Sequence, residues 1–481
     1  MTINSWTLIW IALPFISGFV IYLLPKIDRY LAIGTLLLTT VYPIWLLFTE
    51  SNLTMNLLDN FGVSLIVDNL SGYLILTNCI VTIAVTFYTW EKEKKTFFYA
   101  ILIILFGSIN VAFILNDLIS FYVALEVISI ASFLLIVYPR NDFSIWVGLR
   151  YLLISNTAML FYLIGAILEY QAHHSFKFEG LKGSPPEAIA LILVALLVKG
   201  GIFISGLWLP LTHASVETPV SALLSGIVIK TGIYPLIRLT LLMDEMDWAI
   251  SIFAITTAIF GVSYAIFEKD VKRMLAFHTI SQLGFVLATP TVAGIYALSH
   301  GLVKSSLFLM AGALPTRNLK ELQQLKISRN LWLSLTLASL SIAGMPFLAG
   351  FVTKTLTLKG LTSWQLIIMN VVAVGTAISF AKFIFLPHSS EEKTEQDRGF
   401  WLAVIFLLCG LVASNFIYPS AYTISNILKS LITIAIGWVI YLLIIKKTVI
   451  YLPRGLEKID NLIGFMSLTL VGLFWLVMPY I

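Results

Sequence analysis

The sequence predicts a polytopic α-helical membrane protein. Its 481 residues are 59% hydrophobic and only 11% charged, and the mean hydropathy is +0.95. Apolar stretches long enough to cross a bilayer recur along the whole chain. The alternating strands of about ten residues that mark a membrane β-barrel are absent. The net charge of +5 lies mostly in short loops. It therefore speaks to topology and not to nucleic acid. The two cysteines, Cys79 and Cys409, each sit in an apolar run and read as small hydrophobes. There is no C-x-x-C, no G-x-G-x-x-G and no P-loop, so no cofactor is expected: no iron–sulfur cluster, dinucleotide or ATP site is visible.

About sixteen spans follow in order: 6–24, 31–48, 68–88, 97–115, 118–138, 147–169, 187–206, 219–241, 248–266, 273–289, 292–314, 330–350, 363–386, 400–418, 425–445 and 461–480. The first has no basic residue before it and Lys26 and Arg29 after it. It reads as a retained helix, not a cleaved signal peptide. If the spans alternate, Lys26/Arg29, Glu91–Lys95, Arg140/Arg150, Glu268–Arg273, Arg317–Arg329, Glu391–Arg398 and Lys446–Lys458 share one face. Most of the loop Lys and Arg lie there. The opposite loops carry Glu50, Asp59, Asn116-Asp117, Asp244-Glu245, Asp247 and Tyr418-Pro419. The positive-inside rule then puts both termini on the non-cytoplasmic side.

Several spans are interrupted. Lys199 precedes Gly200-Gly201, Lys230 precedes Gly232 and Pro235, and Lys354 follows Gly344, Pro346 and Gly350. Broken backbone at bilayer depth is tolerated only against protein or water, and paired broken helices mark ion sites in transporters. One break near 199 and another near 345–354 suggest two repeats, 97–241 and 248–386, preceded by helices in 1–96 and followed by helices in 387–481.

The strongest functional signal is a set of charges inside spans: Glu126, Lys199, Lys230, Lys304, Lys354 and Lys382. Each costs about 2.5–3.5 kcal/mol on insertion scales, so such residues mark ion or proton pathways. A buried lysine loses its proton more readily, and a nearby carboxylate opposes that loss. Glu126 and Lys199 could thus form a switch. His300 and Lys304, four residues apart, share a helix face and read as a proton relay. His213 either joins the path in a re-entrant turn or caps a helix. Lys382 reads as a snorkelling lysine and His278 as structural. Asp270, Lys272 and Arg273 read as solvated loop charges. His173-His174 is a poor metal site on its own.

Three ordered motifs resemble a known superfamily. They are Trp208-Leu-Pro with His213 and Thr218-Pro-Val-Ser-Ala-Leu-Leu-Ser-Gly-Ile-Val-Ile-Lys230-Thr-Gly, then Lys272-Arg-Met-Leu-Ala-Phe-His278-Thr-Ile-Ser-Gln-Leu-Gly, then Ser299-His-Gly-Leu-Val-Lys304-Ser-Ser-Leu-Phe-Leu. They resemble the antiporter-like membrane subunits shared by complex I (NADH:quinone oxidoreductase) and the Mrp-type sodium/proton antiporters. The resemblance covers residues from about 60 to 385. It implies fourteen core helices with two inverted five-helix repeats, each holding a broken helix. About two C-terminal spans would be additional. It also implies roles: Glu126 as the carboxylate of the fifth helix, Lys199 as its partner on the broken seventh, Lys230, His300 and Lys304 on a central hydrophilic axis, and Lys354 on the broken twelfth. Lysine at that last position is similar to the Mrp D-type subunit. Two departures stand out. Leu211-Thr212-His213 lacks the acid often found before the histidine, and Tyr296 replaces a histidine of some members.

The resemblance implies a proton-translocating subunit of a multisubunit Mrp-type cation (Na+)/proton antiporter in a bacterial plasma membrane or thylakoid-type membrane. Its partners would be other membrane subunits, the bilayer, protons and Na+, with no nucleic acid and no metal site. The chain itself would be a transporter subunit and not an enzyme. The alternative is a non-redox, proton-pumping subunit of a complex I-like NAD(P)H or ferredoxin:quinone oxidoreductase. A silent scaffold is a third reading.

Overall fold

In the computed structural model, residues 3–58, 62–243, 246–392, 396–448, 450 and 452–477 are described. The acidic loop residues Asp59, Asp244 and Glu245 lie outside them. Each expected span corresponds to a helix or to a pair of half-helices. The chain opens with α1 (Ile3–Leu23) and α2 (Asp28–Thr49), then α3 (Asn69–Thr89), α4 (Thr96–Ala112), α5 (Leu118–Ile136) and the long α6 (Asp142–His173). The seventh span is broken into α7 (Pro186–Lys199) and α8 (Trp208–Ser215). The eighth comprises α9 (Thr218–Leu223), a π-helical segment Leu224–Val228 and α10 (Lys230–Leu242). Next come α11 (Asp247–Phe267), α12 (Val271–Ala288), α13 (Ala293–Ala311) and the short α14 (Leu319–Leu322). A second broken span, α15 (Arg329–Ala343) and α16 (Ala349–Lys359), leads to α17 (Ser363–Ile384), α18 (Arg398–Ser414), α19 (Ile424–Leu443) and α20 (Ile459–Val477). Twelve of the spans are long and apolar enough to cross a membrane by length and composition alone. The others, such as the 17-residue α4 and the 15-residue α15, are shorter or more polar.

The two breaks form for local reasons. After α7 the chain turns through Gly201 at φ +64 and Phe203 at φ +53. After α15 it turns through Gly344 at φ +100 and Phe347 at φ +68. Glycine enters the left-handed region freely, whereas phenylalanine there is held by its surroundings. Sequence reasoning missed a β-hairpin, in which β1 (Leu53–Leu58) pairs antiparallel with β2 (Gly62–Val67). The hairpin docks on the α4–α5 turn, where the Ser64 amide donates to Asp117 at 3.0 Å and the Asn116 amide donates to Ser64 at 2.8 Å.

Burial sorts the helices by role. Every residue of α12 and α13 is buried, as is the whole apolar window of the π-interrupted eighth span. A helix apolar all round belongs inside a bundle or in lipid. These three occupy the interior. By contrast α1, α2 and α19 bury only a minority of their apolar windows and show large apolar side chains such as Phe48 and Ile424 at the surface. Those faces suit acyl chains.

One expectation fails. Lys272 and Arg273 are buried, not solvated loop charges. The segment between α19 and α20 is the cause. Helix α19 packs on α17, whereas α20 packs on α7, so the connecting strap crosses the face that carries the basic loops. There Arg273 donates to Glu268 at 3.1 Å and to both carboxylate oxygens of Glu457 at 2.5 and 3.1 Å. Arg150 of α6 donates to the Glu457 backbone carbonyl. Glu457 thereby joins α6 to α12. Lys272 donates to the Val216 carbonyl at 2.9 Å and fixes the turn between α8 and α9.

Removing one partner of a buried ion pair leaves the other uncompensated. Glu457→Gln is expected to lower stability by about 3 kcal/mol, read as a lower melting temperature in detergent. Glu268 supplies a pH test. Burial pushes its pKa up, but Arg273 and the amides of Asp270 and Lys269 outweigh that and hold it below the usual carboxylate range. Its contribution is therefore complete above the unfolded value of about 4.3 and is lost as pH falls through the lower folded value. Melting curves below about pH 4.3 should fall less steeply for Glu268→Gln than for the parent chain.

Candidate proton pathway

Besides Lys272 in the first turn of α12, five buried lysines lie within membrane helices, and each is solvated by the protein itself. Lys199 ends α7, where the helix dipole favours a cation. Its ammonium donates to Ser155 Oγ at 2.6 Å and to Ser129 Oγ. The two hydroxyls are themselves 3.0 Å apart. A void of about 10 Å³ beside Lys199, lined by Tyr151, Trp208 and Val228 among others, is about the size that holds one water. Lys230 opens α10 and donates to the Gly226 carbonyl. Gly226 lies in the π segment, whose wider turn disturbs the ordinary i→i−4 ladder. Lys304 of α13 donates to the Leu275 carbonyl of α12 at 2.7 Å. Lys354 of α16 donates at 3.3 Å to Ala343, the last residue of the broken α15. Lys382 of α17 donates at 3.0 Å to both Ala265 and Glu268 at the end of α11. Helix ends, breaks and π segments leave carbonyls without intrahelical partners, and four of these five lysines sit at such places.

No ion pair within 4.0 Å involves these lysines among the described residues. The expected direct Glu126–Lys199 contact is therefore not made. Ser129, one turn along α5 from Glu126, and Ser155 of α6 take the ammonium instead, while Glu126 is only half-buried. The two charges still act on one another electrostatically.

Three histidines complete the interior. His213 of α8, His278 of α12 and His300 of α13 are buried, and neither ring nitrogen of any of them has a hydrogen-bond partner. Buried polar groups without protein partners ordinarily bind water. His213 faces inward, stacked on Phe308 at 4.6 Å, and does not cap its helix. His300 lies within electrostatic reach of Lys230 and Lys304, as the shared helix face predicts. Close packing brings α13 to Lys230: a methyl group on Gly301 would lie 2.9 Å from the Gly226 carbonyl oxygen and 3.4 Å from the Lys230 ammonium. His278, which reads as structural from the sequence, lies on Phe380 at 4.6 Å, within electrostatic reach of Lys304, Lys354 and Lys382. Alongside it Tyr296 donates to Gln282 at 2.9 Å. Sequence reasoning missed Ser129 and Ser155; for Ser129 the signal was its spacing of three from Glu126.

Two cavities reach this row from opposite faces. One of about 570 Å³ opens at Lys354, with Lys359, Asn370, Asn426 and Lys429 in its wall. The other, of about 260 Å³, lies on the face with the basic loops and reaches Lys382. His173 bonds Glu169 at 3.1 Å, and no cluster of three or more metal-ligating side chains occurs among the described residues.

The arrangement is one of separated proton-binding groups in a polar interior flanked by lipid-facing helices. Residues 116–379 match the family model described as "NADH:quinone oxidoreductase/Mrp antiporter, TM". The chain is 29% identical over 452 residues to the D-type subunit of a Na(+)/H(+) antiporter from Alkalihalophilus pseudofirmus, covering 84% of this chain and 91% of that protein. It is 28% identical over 403 residues to the NAD(P)H-quinone oxidoreductase chain 4-2 of Synechocystis sp., covering 74% and 72%. Its fold resembles a chain of the Mrp complex from Dietzia sp., with a TM-score of 0.77 at 22% identity over 96% of this chain and 59% of that one. A chain of the archaeal membrane-bound sulfane sulfur reductase gives a TM-score of 0.77 at 19% identity over 90% and 98%. With more than half its length matched by the family model, and with the helical architecture that the model's description implies, the chain belongs to the NADH:quinone oxidoreductase/Mrp antiporter transmembrane family.

Proposed function

We propose that this chain is the proton-translocating subunit of a multisubunit Mrp-type monovalent cation (Na+)/proton antiporter. One observation carries the reading: a row of buried lysines and imidazoles, without carboxylate partners among the described residues, spans two broken helices. A proton passes between groups of comparable affinity, whereas a tight ion pair would trap it. Lys199, Lys230, His300, Lys304 and Lys354 are the stations, with water between them. His213 is a side station near Lys304. Glu126 modulates Lys199 through space. Residues 97–241 and 248–386 form the two half-channels. The face with the basic loops is cytoplasmic, so both termini lie on the other side.

The relatives named as antiporter subunits support the antiporter assignment. The relatives named as quinone oxidoreductase chains use the same family architecture, and copurification with redox subunits would favour that setting instead. Within either complex this chain moves protons and carries no redox group.

Lys230→Ala is the direct test. In vesicles holding the assembled complex, cation-driven collapse of a pH gradient should drop to the background of vesicles without the complex. Native gels should show unchanged assembly. Normal transport at normal assembly would refute the relay. Ser155→Ala should have a weaker effect, because Ser129 still accepts from Lys199; the initial rate of gradient collapse reports it.

A further inference from the structure

The sequence marks Lys382 as a snorkelling lysine, but its ammonium is not in open solvent. The residue is buried, and its head caps α11 through the Ala265 and Glu268 carbonyls, 3.0 Å from each. It forms part of the wall of the 260 Å³ cavity on the basic face, where polar groups including Gln323, Gln324, Lys446 and Thr448 alternate with apolar ones such as Phe267 and Ile445. Water entering there meets Lys382 before any other station. On the inward side is His278, within electrostatic reach of both Lys382 and Lys304, with neither ring nitrogen bonded to another residue. Phe380, two residues before Lys382 on α17, lies against the His278 ring, and the Lys304 ammonium sits 5.7 Å from the centre of the same phenylalanine ring. A cavity, a buried amine, an imidazole and the central lysine thus follow one another from the basic face inward.

We propose that this cavity is the cytoplasmic proton port of the second half-channel, with Lys382 and His278 as relay residues that connect it to Lys304. The proposal rests on the proton-translocating reading above. It supplies that reading with an entrance opposite the opening at Lys354. Each step is a simple proton transfer. A hydronium in the cavity protonates the Lys382 amine and becomes water. The ammonium N–H bond then breaks as a nitrogen–hydrogen bond forms on His278 through intervening water, and the amine keeps its electron pair. The imidazolium passes the proton to the Lys304 amine and returns to neutral. The Ala265 and Glu268 carbonyls stabilise the ammonium while it waits, as carbonyls at a helix C-terminus favour a cation.

The test uses the assembled complex in vesicles of both orientations, with Cys79 and Cys409 first replaced by serine. Lys382→Cys should be modified by a membrane-impermeant thiol reagent from the basic face only. It should transport little until aminoethylation restores an amine, whereas a neutral methylthio adduct should restore nothing; a purely structural lysine would not show that difference. Modification from the opposite face only, or full transport by Lys382→Cys, overturns the port. Should that variant not assemble, Thr448→Cys at the rim serves instead. Coupling a bulky maleimide to it from the basic face should block transport, and undiminished transport after complete coupling overturns the proposal. Lys230→Ala separates the two ideas. If it abolishes transport while the Lys382 and Thr448 arms fail, the port alone is wrong. If Lys230→Ala also transports normally, the proton-relay reading itself has failed.

Discussion

The fold is organised around solvating ammonium groups away from water. Besides Lys272 at the start of α12, five buried lysines sit within membrane helices, and carboxylates do not neutralise them among the described residues. Backbone carbonyls and serine hydroxyls take that role instead. A carbonyl can accept a bond from an ammonium only where it is accessible. The chain provides such carbonyls by ending helices at bilayer depth, at Ala343, or by widening a turn, at Gly226. Broken helices are a liability in lipid, because their unpaired groups would face hydrocarbon. Here they are enclosed by other helices, and their loose ends bind the very charges that lipid would reject.

That constraint arranges the helices. The elements bearing the lysines and histidines, α10, α12 and α13, must be inside. They are buried throughout, with small residues such as Gly301 letting backbones approach closely enough to pack around the polar groups. The outer helices, α1, α2 and α19, then supply apolar surface to the bilayer. Carbonyl solvation also leaves the ammonium ions less firmly held than ion pairing would. An amine at a neutral acceptor can lose its proton without stranding an opposite charge, which is the property that a relay requires. The half-buried Glu126 stays near enough to influence Lys199 without locking it.

The strap between α19 and α20 extends the same logic to the surface. By crossing the basic face it turns Arg273 and Glu268, near-surface charges at the α11–α12 turn, into a buried cluster with Glu457 and Arg150. It ties α6 to α12. It also borders the cavity that reaches Lys382. The segment between the last two helices therefore contributes a fastening between α6 and α12.

Much of this was legible in the sequence. Hydropathy located the spans, because a bilayer demands long apolar helices whatever surrounds them. Glycines and prolines flagged both breaks, and the spacing of His300 and Lys304 put them on one face, because helical geometry is local. The hairpin at 53–67 was not legible, since its pairing depends on docking against the α4–α5 turn. Partners were not legible either. Nothing in the spacing of Glu126 and Lys199 showed that Ser129 and Ser155 would hold the Lys199 ammonium. His278 and Lys382 look ordinary until α11, α12 and α17 are packed together. The membrane class, the span order and the costly buried charges were determined by the sequence alone, because insertion energies depend on residue type. Which atoms solvate each charge, and which charges face a cavity, only the tertiary structure decided, because such contacts join residues far apart in the chain, as with Lys382 and Ala265, separated by 117 positions.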